Sequence, residues 1–163
     1  SLRKAFLKAP LKFSRISSSY SKNRLHPVLK VRRPHLGTDY AAPSGTPILA
    51  VGDGVVEEAR YKRNNGNYVK IWHNSTYSTQ YLHMSGFAKG VKPGAKIRQG
   101  QVIGYVGSTG LATGPHVCFR FWKNGVQVDH RKIQMPPSEP VKAAHLNDYT
   151  KQMTNLKMEL ECL

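Results

Sequence analysis

The chain of 163 residues carries 25 Lys and Arg against 9 Asp and Glu, a formal net charge of +16. Its 39% hydrophobic and 21% charged residues are typical of a globular protein and exclude a disordered chain. The sequence has no run of about 18 apolar residues that could span a membrane, and its charge indicates a polyanionic partner: nucleic acid, an anionic membrane surface or an acidic cell-wall polymer.

The N-terminal residues are basic and weakly patterned. A short helical turn is expected over Ser1–Lys8, and Pro10 with the serines at 17–19 then favours an extended segment. We therefore interpret 1–23 as a linker leading into a domain that begins at residue 24. Because the first residue is Ser rather than Met, we expect a processed product or a fragment, from which targeting information is missing.

Short alternating segments bounded by turn residues predict strands through the middle of the chain. The predicted strands are Thr46–Val51, Val55–Tyr61, Tyr68–His73, Tyr77–His83, Gln101–Val106, His116–Trp122 and Val126–Val128. Asn-Gly pairs within 64–67 and 123–125 predict hairpins. The expected fold class is mainly β: an antiparallel sheet with hairpins, a smaller second sheet and an active-site groove at the rim.

The C-terminal part changes its pattern. Three prolines between residues 130 and 140 mark a boundary, and apolar residues beyond it recur at helical spacing. These apolar residues are Leu146, Tyr149, Met153, Leu156 and Leu160. The domain is therefore expected to span 24–135, and 136–163 to be a Pro-rich boundary followed by a C-terminal helical tail.

Two segments combine residue types that bind metals. His35 and Asp39 lie four positions apart around a glycine, and imidazole and carboxylate both suit zinc. Taken alone, the pair is better explained by a His–Asp hydrogen bond at a turn. In the strand at 116–122, alternation places His116 and Cys118 on the face opposite Val117. This arrangement fits a metal site, and it also fits a half-buried strand with a surface His and a buried Cys.

The strand at 77–83 presents a further candidate. Alternation predicts that Tyr81 and His83 share one face, with His83 at the strand end beside the turn residues 84–86. A histidine there fits a site at the edge of a sheet, or a partly exposed strand-end residue without a role. His73, at the end of the preceding strand, is interpreted as a surface residue.

Four blocks of the sequence together resemble the lysostaphin-type, or LytM-like, zinc endopeptidases, which cut the peptide part of peptidoglycan. The blocks are RISS at 15–18 with HP at 26–27, HLGTDYAAP at 35–43, YLHMSGFAKG at 81–90 and STGLATGPHVCFRF at 108–121. Their order and spacing fit the family, and the resemblance covers about residues 15–135.

The resemblance implies two zinc ligands, His35 and Asp39, and two catalytic histidines, His83 and His116. The family's third ligand is the second His of an HxH pair, and Cys118 occupies that position here. Because thiolate is a good zinc ligand, we still expect three ligands, an open fourth position and one zinc per chain. Two anionic ligands weaken the pull of the ion on a bound water, so we hypothesise a working but slower enzyme.

The implied function is a zinc-dependent endopeptidase that hydrolyses peptide cross-links or stem peptides of peptidoglycan. One catalytic histidine acts as general base and the other stabilises the oxyanion, and the resemblance does not assign which. Asn67 and Tyr81 are candidate substrate contacts. The histidines outside the motif are interpreted as surface or structural: His26, His73, His130 and His145.

An alternative function is a weak or inactive LytM-like module that binds peptidoglycan or activates a cell-wall amidase. Nucleic acid is not an expected partner, because the basic residues are scattered and no aromatic platform accompanies them. The resemblance implies the periplasm or cell envelope of a bacterium, with peptidoglycan and an envelope regulatory or adaptor protein as partners. A membrane tether is expected only through a missing N-terminal part.

Overall fold

The computed structural model describes residues 4–13, 15–25, 32–133 and 137–138. The strands of these ranges are β1 (Lys4–Ala5), β2 (Arg15–Ser18), β3 (Ser21–Leu25), β4 (Arg32–His35), β5 (Thr38–Ala41), β6 (Pro47–Leu49), β7 (Gly54–Lys62), β8 (Gly66–Trp72), β9 (Tyr77–Phe87), β10 (Lys96–Ile97), β11 (Val102–Val106), β12 (His116–Lys123), β13 (Val126–Val128) and β14 (Pro137–Ser138). None of the described residues belongs to a helix long and apolar enough to cross a membrane.

Most of these strands form one antiparallel sheet of ten strands. Hydrogen-bonded neighbours follow the order β10-β7-β8-β9-β12-β5-β2, while β13 pairs with β12, and β11 pairs with both β9 and β6. Two small sheets pair β1 with β14 and β3 with β4. The predicted mainly β, antiparallel fold is thus confirmed. The predicted C-terminal helix lies outside the described residues.

Left-handed turn residues close the two predicted hairpins. β7 and β8 pair antiparallel around residues 63–65, and Gly66 adopts a φ of 66° as β8 begins. Asn124 and Gly125 join β12 to β13 with φ values of 54° and 79°. Two consecutive positive φ values are typical of the type I′ turn, whose twist matches that of the flanking strands.

The alternation of β12 separates the core from a second buried cluster. Phe119 and Phe121 point into the main core. Cys118 points to the opposite face, where it packs against Tyr68 from β8 and Leu82 from β9. One face of the sheet therefore stabilises the fold through apolar burial, and the opposite face carries the candidate metal-binding thiol.

Part of the predicted linker belongs to the folded domain. β1 pairs with β14, and β2 adds an edge strand beside β5. Phe6 and Leu11 are buried in the main core. The helical turn expected over Ser1–Lys8 is wrong at Lys4–Ala5, because pairing with a distant strand decides the backbone there. The linker boundary at residue 23 stays a prediction.

His73 is buried, with an exposed fraction of 3%, so its interpretation as a surface residue is wrong. Its Nδ1 donates to the Asp53 carbonyl at 2.7 Å, and its Nε2 lies 2.7 Å from the Thr79 hydroxyl. The ring of Phe6 packs 4.7 Å away. Phe6, from the N-terminal segment, therefore covers His73 at the end of β8, where the local sequence predicted an exposed residue.

Candidate metal centre and active site

His35 and Asp39 converge because the chain bends sharply between β4 and β5. His35 ends β4, Asp39 is the second residue of β5, and Nε2 of the first lies 3.1 Å from Oδ1 of the second. Gly37 allows this bend to approach β12 closely. A Cβ at Gly37 would lie 2.9 Å from Cys118 Sγ and 2.9 Å from the Phe119 carbonyl oxygen. Only a residue without a side chain fits there.

Strand register brings Cys118 to the same point. Its Cα is paired with Asp39 of β5 and with Leu82 of β9. Cys118 Sγ lies 3.8 Å from His35 Nε2, and one ligand atom each from His35, Asp39 and Cys118 lie within 4.8 Å of one another. Bonds of about 2.0–2.3 Å in a tetrahedral zinc site separate nitrogen, oxygen and sulfur ligand atoms by roughly 3.3–3.6 Å. Two of the three atom pairs, at 3.1 and 3.8 Å, lie close to this spacing, and the donor chemistry of the cluster fits zinc.

His116 and His83 stand beside this cluster. Their ring centroids are 4.8 Å apart, and His116 Nε2 lies 3.8 Å from Asp39 Oδ1. His116 begins β12, two residues before Cys118, and His83 lies in β9, the neighbouring strand. The structure thus brings together all five residues that the resemblance implied as ligands or catalytic groups.

Backbone carbonyls orient the three histidines of the site in the same way. His35 Nδ1 lies 2.9 Å from the Ser19 carbonyl, His83 Nδ1 lies 2.7 Å from that of Thr109, and His116 Nδ1 lies 2.8 Å from that of Gly114. A carbonyl only accepts, so each Nδ1 carries the proton, and each neutral ring keeps its lone pair on Nε2. His35 Nε2 then faces Asp39 Oδ1 across 3.1 Å, so two electron-pair donors converge on a position suited to a cation.

A break in β9 sets the direction of His83. His83 has a φ of 64°, and the pairing of β8 with β9 shifts register between Asn67 and Val69. Tyr81 and Met84 both point into the core, while Leu82 and His83 both point to the site face. The prediction that Tyr81 and His83 share a face is therefore wrong. The extra residue of a β-bulge interrupts the alternation from which it was made.

Burial shifts the pKa of three groups of the site, and for one of them neighbouring residues outweigh it. Burial raises the pKa of Asp39, but the hydrogen bond and charge of His35 and the charge of His116 outweigh it, so the pKa lies below its usual value. Burial lowers the pKa of His83 to about 4, which leaves the ring neutral at pH 7. Burial raises the pKa of the Cys118 thiol to about 12, against the opposing charge of Arg120. A metal ion binding at Cys118 therefore has to release its proton.

The two candidate substrate contacts lie in different surroundings. Tyr81 is fully buried, and its hydroxyl accepts from the Val51 amide and lies 2.8 Å from the Thr79 hydroxyl, so it does not reach the site. Asn67 is half-buried, and its Nδ2 donates to the Met84 carbonyl at 3.2 Å. Asn67 thus braces the backbone next to His83, and its contact with substrate stays a prediction.

The two remaining histidines that the structure describes, His73 and His130, do not join the site. His130 is buried, and its Nε2 accepts from the Tyr40 hydroxyl at 2.8 Å, which makes it structural. His73 is buried in the core described above. His26 and His145 lie outside the described residues.

Thr109 positions the site and was missed by the sequence analysis. Its carbonyl accepts from His83 Nδ1, its hydroxyl donates to the Met84 carbonyl at 2.7 Å, and the same oxygen accepts from the Asn67 amide at 3.1 Å. Thr109 thereby ties the segment between β11 and β12 to the bulge of β9. Its place within the STG triplet at 108–110 was the available indication, because a hydroxyl in a flexible segment commonly bonds to nearby backbone.

Comparison with known proteins identifies the domain. The profile of peptidase family M23 matches residues 33–130, more than half of the chain, and this range holds all five residues of the site. The chain belongs to peptidase family M23. This match confirms the resemblance found in the sequence.

The M23 domain is similar to named bacterial enzymes over most of its length. It is 49% identical over 138 residues to peptidoglycan DD-endopeptidase ShyC of Vibrio cholerae, covering 85% of this chain and 31% of that protein. It is 42% identical over 134 residues to the DD-carboxypeptidase/endopeptidase Mpg of Neisseria meningitidis, covering 82% and 30%. The chain therefore spans about a third of the length of these relatives.

Solved structures agree with the M23 assignment. A zinc-containing peptidase from Vibrio cholerae superposes with a TM-score of 0.75 at 40% identity, covering 82% of this chain and 41% of that one. The catalytic domain of lysostaphin from Staphylococcus simulans superposes with a TM-score of 0.60 at 29% identity, covering 76% and 89%. The lysostaphin comparison matches nearly a whole catalytic domain, so the β-sheet described here contains the common fold of these peptidases.

Proposed function

We propose that this M23 domain is a zinc-dependent endopeptidase that hydrolyses peptide cross-links or stem peptides of peptidoglycan. The observation that carries the proposal is the convergence of a three-ligand cluster and two oriented histidines on one face of the sheet. Relatives named as peptidoglycan DD-endopeptidases support the substrate class. The net charge of +16 suits a polymer rich in carboxylates.

His35, Asp39 and Cys118 would hold one zinc ion per chain. Zinc bound there would supply Lewis-acid chemistry, which lowers the pKa of water and polarises the scissile carbonyl. Asp39 and the Cys118 thiolate add two negative charges to the site, whereas His35 stays neutral. We expect these charges to moderate the Lewis acidity and to give a slower enzyme than a site with one anionic ligand.

His83 and His116 would divide the proton transfers between them. Each ring donates its Nδ1 proton to a carbonyl and presents Nε2 to the centre, so either can accept a proton from the attacking water. The ring that has accepted this proton at Nε2 would then return it to the leaving amine, while the partner ring, when it carries a proton on Nε2 before the attack, would donate a hydrogen bond to the developing oxyanion. The backbone hydrogen bonds keep both rings from rotating away during these steps.

The proposed setting is the periplasm or cell envelope of a bacterium, where peptidoglycan lies. An envelope regulatory or adaptor protein would be a further partner, and a membrane tether would come from a part of the protein outside this chain. Nucleic acid is not among the proposed partners. We also propose that Asn67 lies near the bound peptide.

Three variants test the proposal. His116→Ala should retain about one zinc per chain yet lose at least roughly 100-fold in the digestion of purified sacculi, because it removes a proton-transfer group but no ligand. Cys118→Ala should lose both zinc and activity, and Cys118→His should keep both. A folded, zinc-loaded wild-type protein that leaves sacculi intact while binding them would contradict the enzyme and favour a peptidoglycan-binding module.

A further inference from the structure

Arg120 lies beside the Cys118 thiol on the site face of β12. Side chains at positions i and i+2 of a strand lie on the same face of the sheet, so those of Cys118 and Arg120 point the same way. A Cβ at Gly37 would meet both Cys118 Sγ at 2.9 Å and Arg120 Cγ at 3.0 Å. The thiol and the aliphatic stem of the arginine therefore pack against the same point of the β4–β5 bend, which holds them side by side.

The Nε–H group of Arg120 is buried without a hydrogen-bond partner among the described residues. No ion pair joins Arg120 to a carboxylate in the part of the chain that the structure describes. A buried charged donor without an acceptor is costly, because it has lost its hydrogen bonds to water without replacing them. A neutral thiol is only a weak acceptor, whereas a thiolate is an anion that accepts from such a donor.

The formal charges of the zinc-loaded site also favour a cation beside Cys118. Zinc with neutral His35, anionic Asp39 and an anionic Cys118 sums to zero, whereas a neutral imidazole in place of Cys118 would leave the site at about +1. The guanidinium of Arg120 adds one positive charge beside the Cys118 thiolate, which is the ligand that lowers the charge of the site. Hydrogen bonds from neighbouring residues to metal ligands fix ligand orientation and tune the metal, with effects of about 10–100-fold on affinity.

We propose that Arg120 is a positioning residue that donates a hydrogen bond to the Cys118 sulfur in the zinc-loaded site and offsets its negative charge. This inference rests on the proposed function only in taking Cys118 as a ligand. The arrangement makes Cys118 and Arg120 a matched pair: the arginine favours metal binding when residue 118 is a thiolate and opposes it when residue 118 is a neutral imidazole.

A double-mutant cycle on zinc affinity tests the pair. Zinc dissociation constants are measured by chelator competition for the wild type, Arg120→Met, Cys118→His and the double variant. Arg120→Met should weaken zinc binding about 10-fold in the wild-type background, and it should leave binding unchanged or tighten it in the Cys118→His background. Lys123→Met removes a cation from an exposed position of the same strand and should have no effect in either background.

Cobalt substitution gives a second measurement that a purely structural role would not change. The sulfur-to-cobalt charge-transfer band of the wild-type protein should shift in Arg120→Met and return toward its original position in Arg120→Lys, which keeps the charge. Circular dichroism establishes that each variant is folded, and Arg120→Leu, which also removes the charge and the donor, replaces Arg120→Met in the cycle if the latter does not fold.

Equal losses of zinc affinity in both backgrounds, or no loss in either, would overturn the inference. Zinc binding by the Cys118→Ala variant would also overturn it, because the sulfur would then not be a ligand. These measurements do not use peptidoglycan. A protein that shows the coupling but leaves sacculi intact would contradict the proposed enzyme and leave the role of Arg120 standing.

Discussion

At the scale of single residues, the geometry of the site depends on backbone groups as much as on side chains. The three histidines of the site are oriented by the carbonyls of Ser19, near the N-terminus, and of Thr109 and Gly114, in the segment between β11 and β12. Each carbonyl sets a tautomer, so each decides which nitrogen can bind a metal or accept a proton. Because any residue type supplies a carbonyl, this part of the site leaves no pattern in the sequence.

Gly37→Ala should weaken zinc binding. The new methyl group would lie 2.9 Å from Cys118 Sγ and from the Phe119 carbonyl oxygen, so the β4–β5 bend has to move away from β12. His35 and Asp39 lie on either side of that bend, and a misplaced ligand costs metal affinity. We expect a loss of about 10-fold or more, measured by chelator competition.

Gly86→Ala is the matched control for Gly37→Ala. Gly86 has open space around its would-be Cβ and lacks a positive φ, so the added methyl meets nothing. It should leave zinc affinity unchanged. A similar affinity for both variants and the wild type would show that the close approach at Gly37 does not set the ligand geometry.

Local sequence patterns did not predict the positions of several of these residues. His35 and Cys118 are 83 positions apart, and it was the resemblance, not their spacing, that placed them together. Alternation failed at His83 because a bulge adds a residue whose φ is positive, a conformation that is uncommon for histidine. His73 was misplaced because its cover, Phe6, comes from a segment 67 residues upstream in sequence.

At the scale of elements, the segment between β11 and β12 acts as a clamp on β9. Gly66 and Gly110 let two turns approach closely: a Cβ on the first would meet Thr109 backbone, and a Cβ on the second would meet the Gly66 amide. Thr109 then binds the Met84 carbonyl and His83 from this position. These hydrogen bonds join the clamp to the bulge of β9 and hold the ring of His83 in its direction.

Thr109→Val should reduce catalysis without removing zinc. Valine keeps the shape of threonine but loses the hydroxyl that donates to the Met84 carbonyl and accepts from the Asn67 amide. The carbonyl that holds His83 then shifts, while the three ligand residues keep their own contacts. We expect activity on sacculi to fall about 10-fold at unchanged zinc content, because small misplacements of catalytic groups are costly.

Thr109→Ser tests whether the hydroxyl is the cause. Serine retains both hydrogen bonds and loses only a methyl group, so it should keep most of the activity. Equal activity of the valine variant and the wild type would mean that the bulge of β9 is held without this clamp.

Elements defined by local chemistry were predicted well, and those defined by distant pairing were not. The hairpin at Asn124-Gly125 needs two left-handed residues, and the sequence supplies the pair that adopts this conformation most readily. The sequence around β1 shows no strand pattern. β1 forms because it pairs with β14, which lies more than 130 residues away in the chain. Long-range register of this kind is absent from any short window of sequence.

At the scale of the whole molecule, the sheet keeps its buried histidines in two separate environments. His83 faces the site, where a lone pair is needed. His73 and His130 lie among core residues, where hydrogen bonds to Asp53, Thr79 and Tyr40 satisfy their nitrogens. Burial lowers the pKa of both core histidines to about 4. The folded core therefore resists protonation, and this makes global stability depend on pH.

Stability should fall as the pH drops from about 6.5 to about 4. In the unfolded chain each histidine has a pKa near 6.5, so between these pH values the unfolded state binds more protons than the folded state. The stabilisation is complete above pH 6.5 and is lost as the pH approaches the folded-state pKa of about 4. The loss is on the order of 2–3 kcal/mol for each histidine. Urea unfolding at a series of pH values measures it.

His73→Gln isolates one of the two histidines. Glutamine does not titrate, so although the variant should be less stable at pH 7.5, its free energy of unfolding should depend less steeply on pH, by up to about one proton between pH 6.5 and 4. Both proteins share the metal site and every carboxylate, so the difference between their pH profiles cancels those contributions and reports His73 alone. Parallel profiles for the two proteins would show that His73 is protonated equally in the folded and unfolded chain, contrary to its burial beneath Phe6.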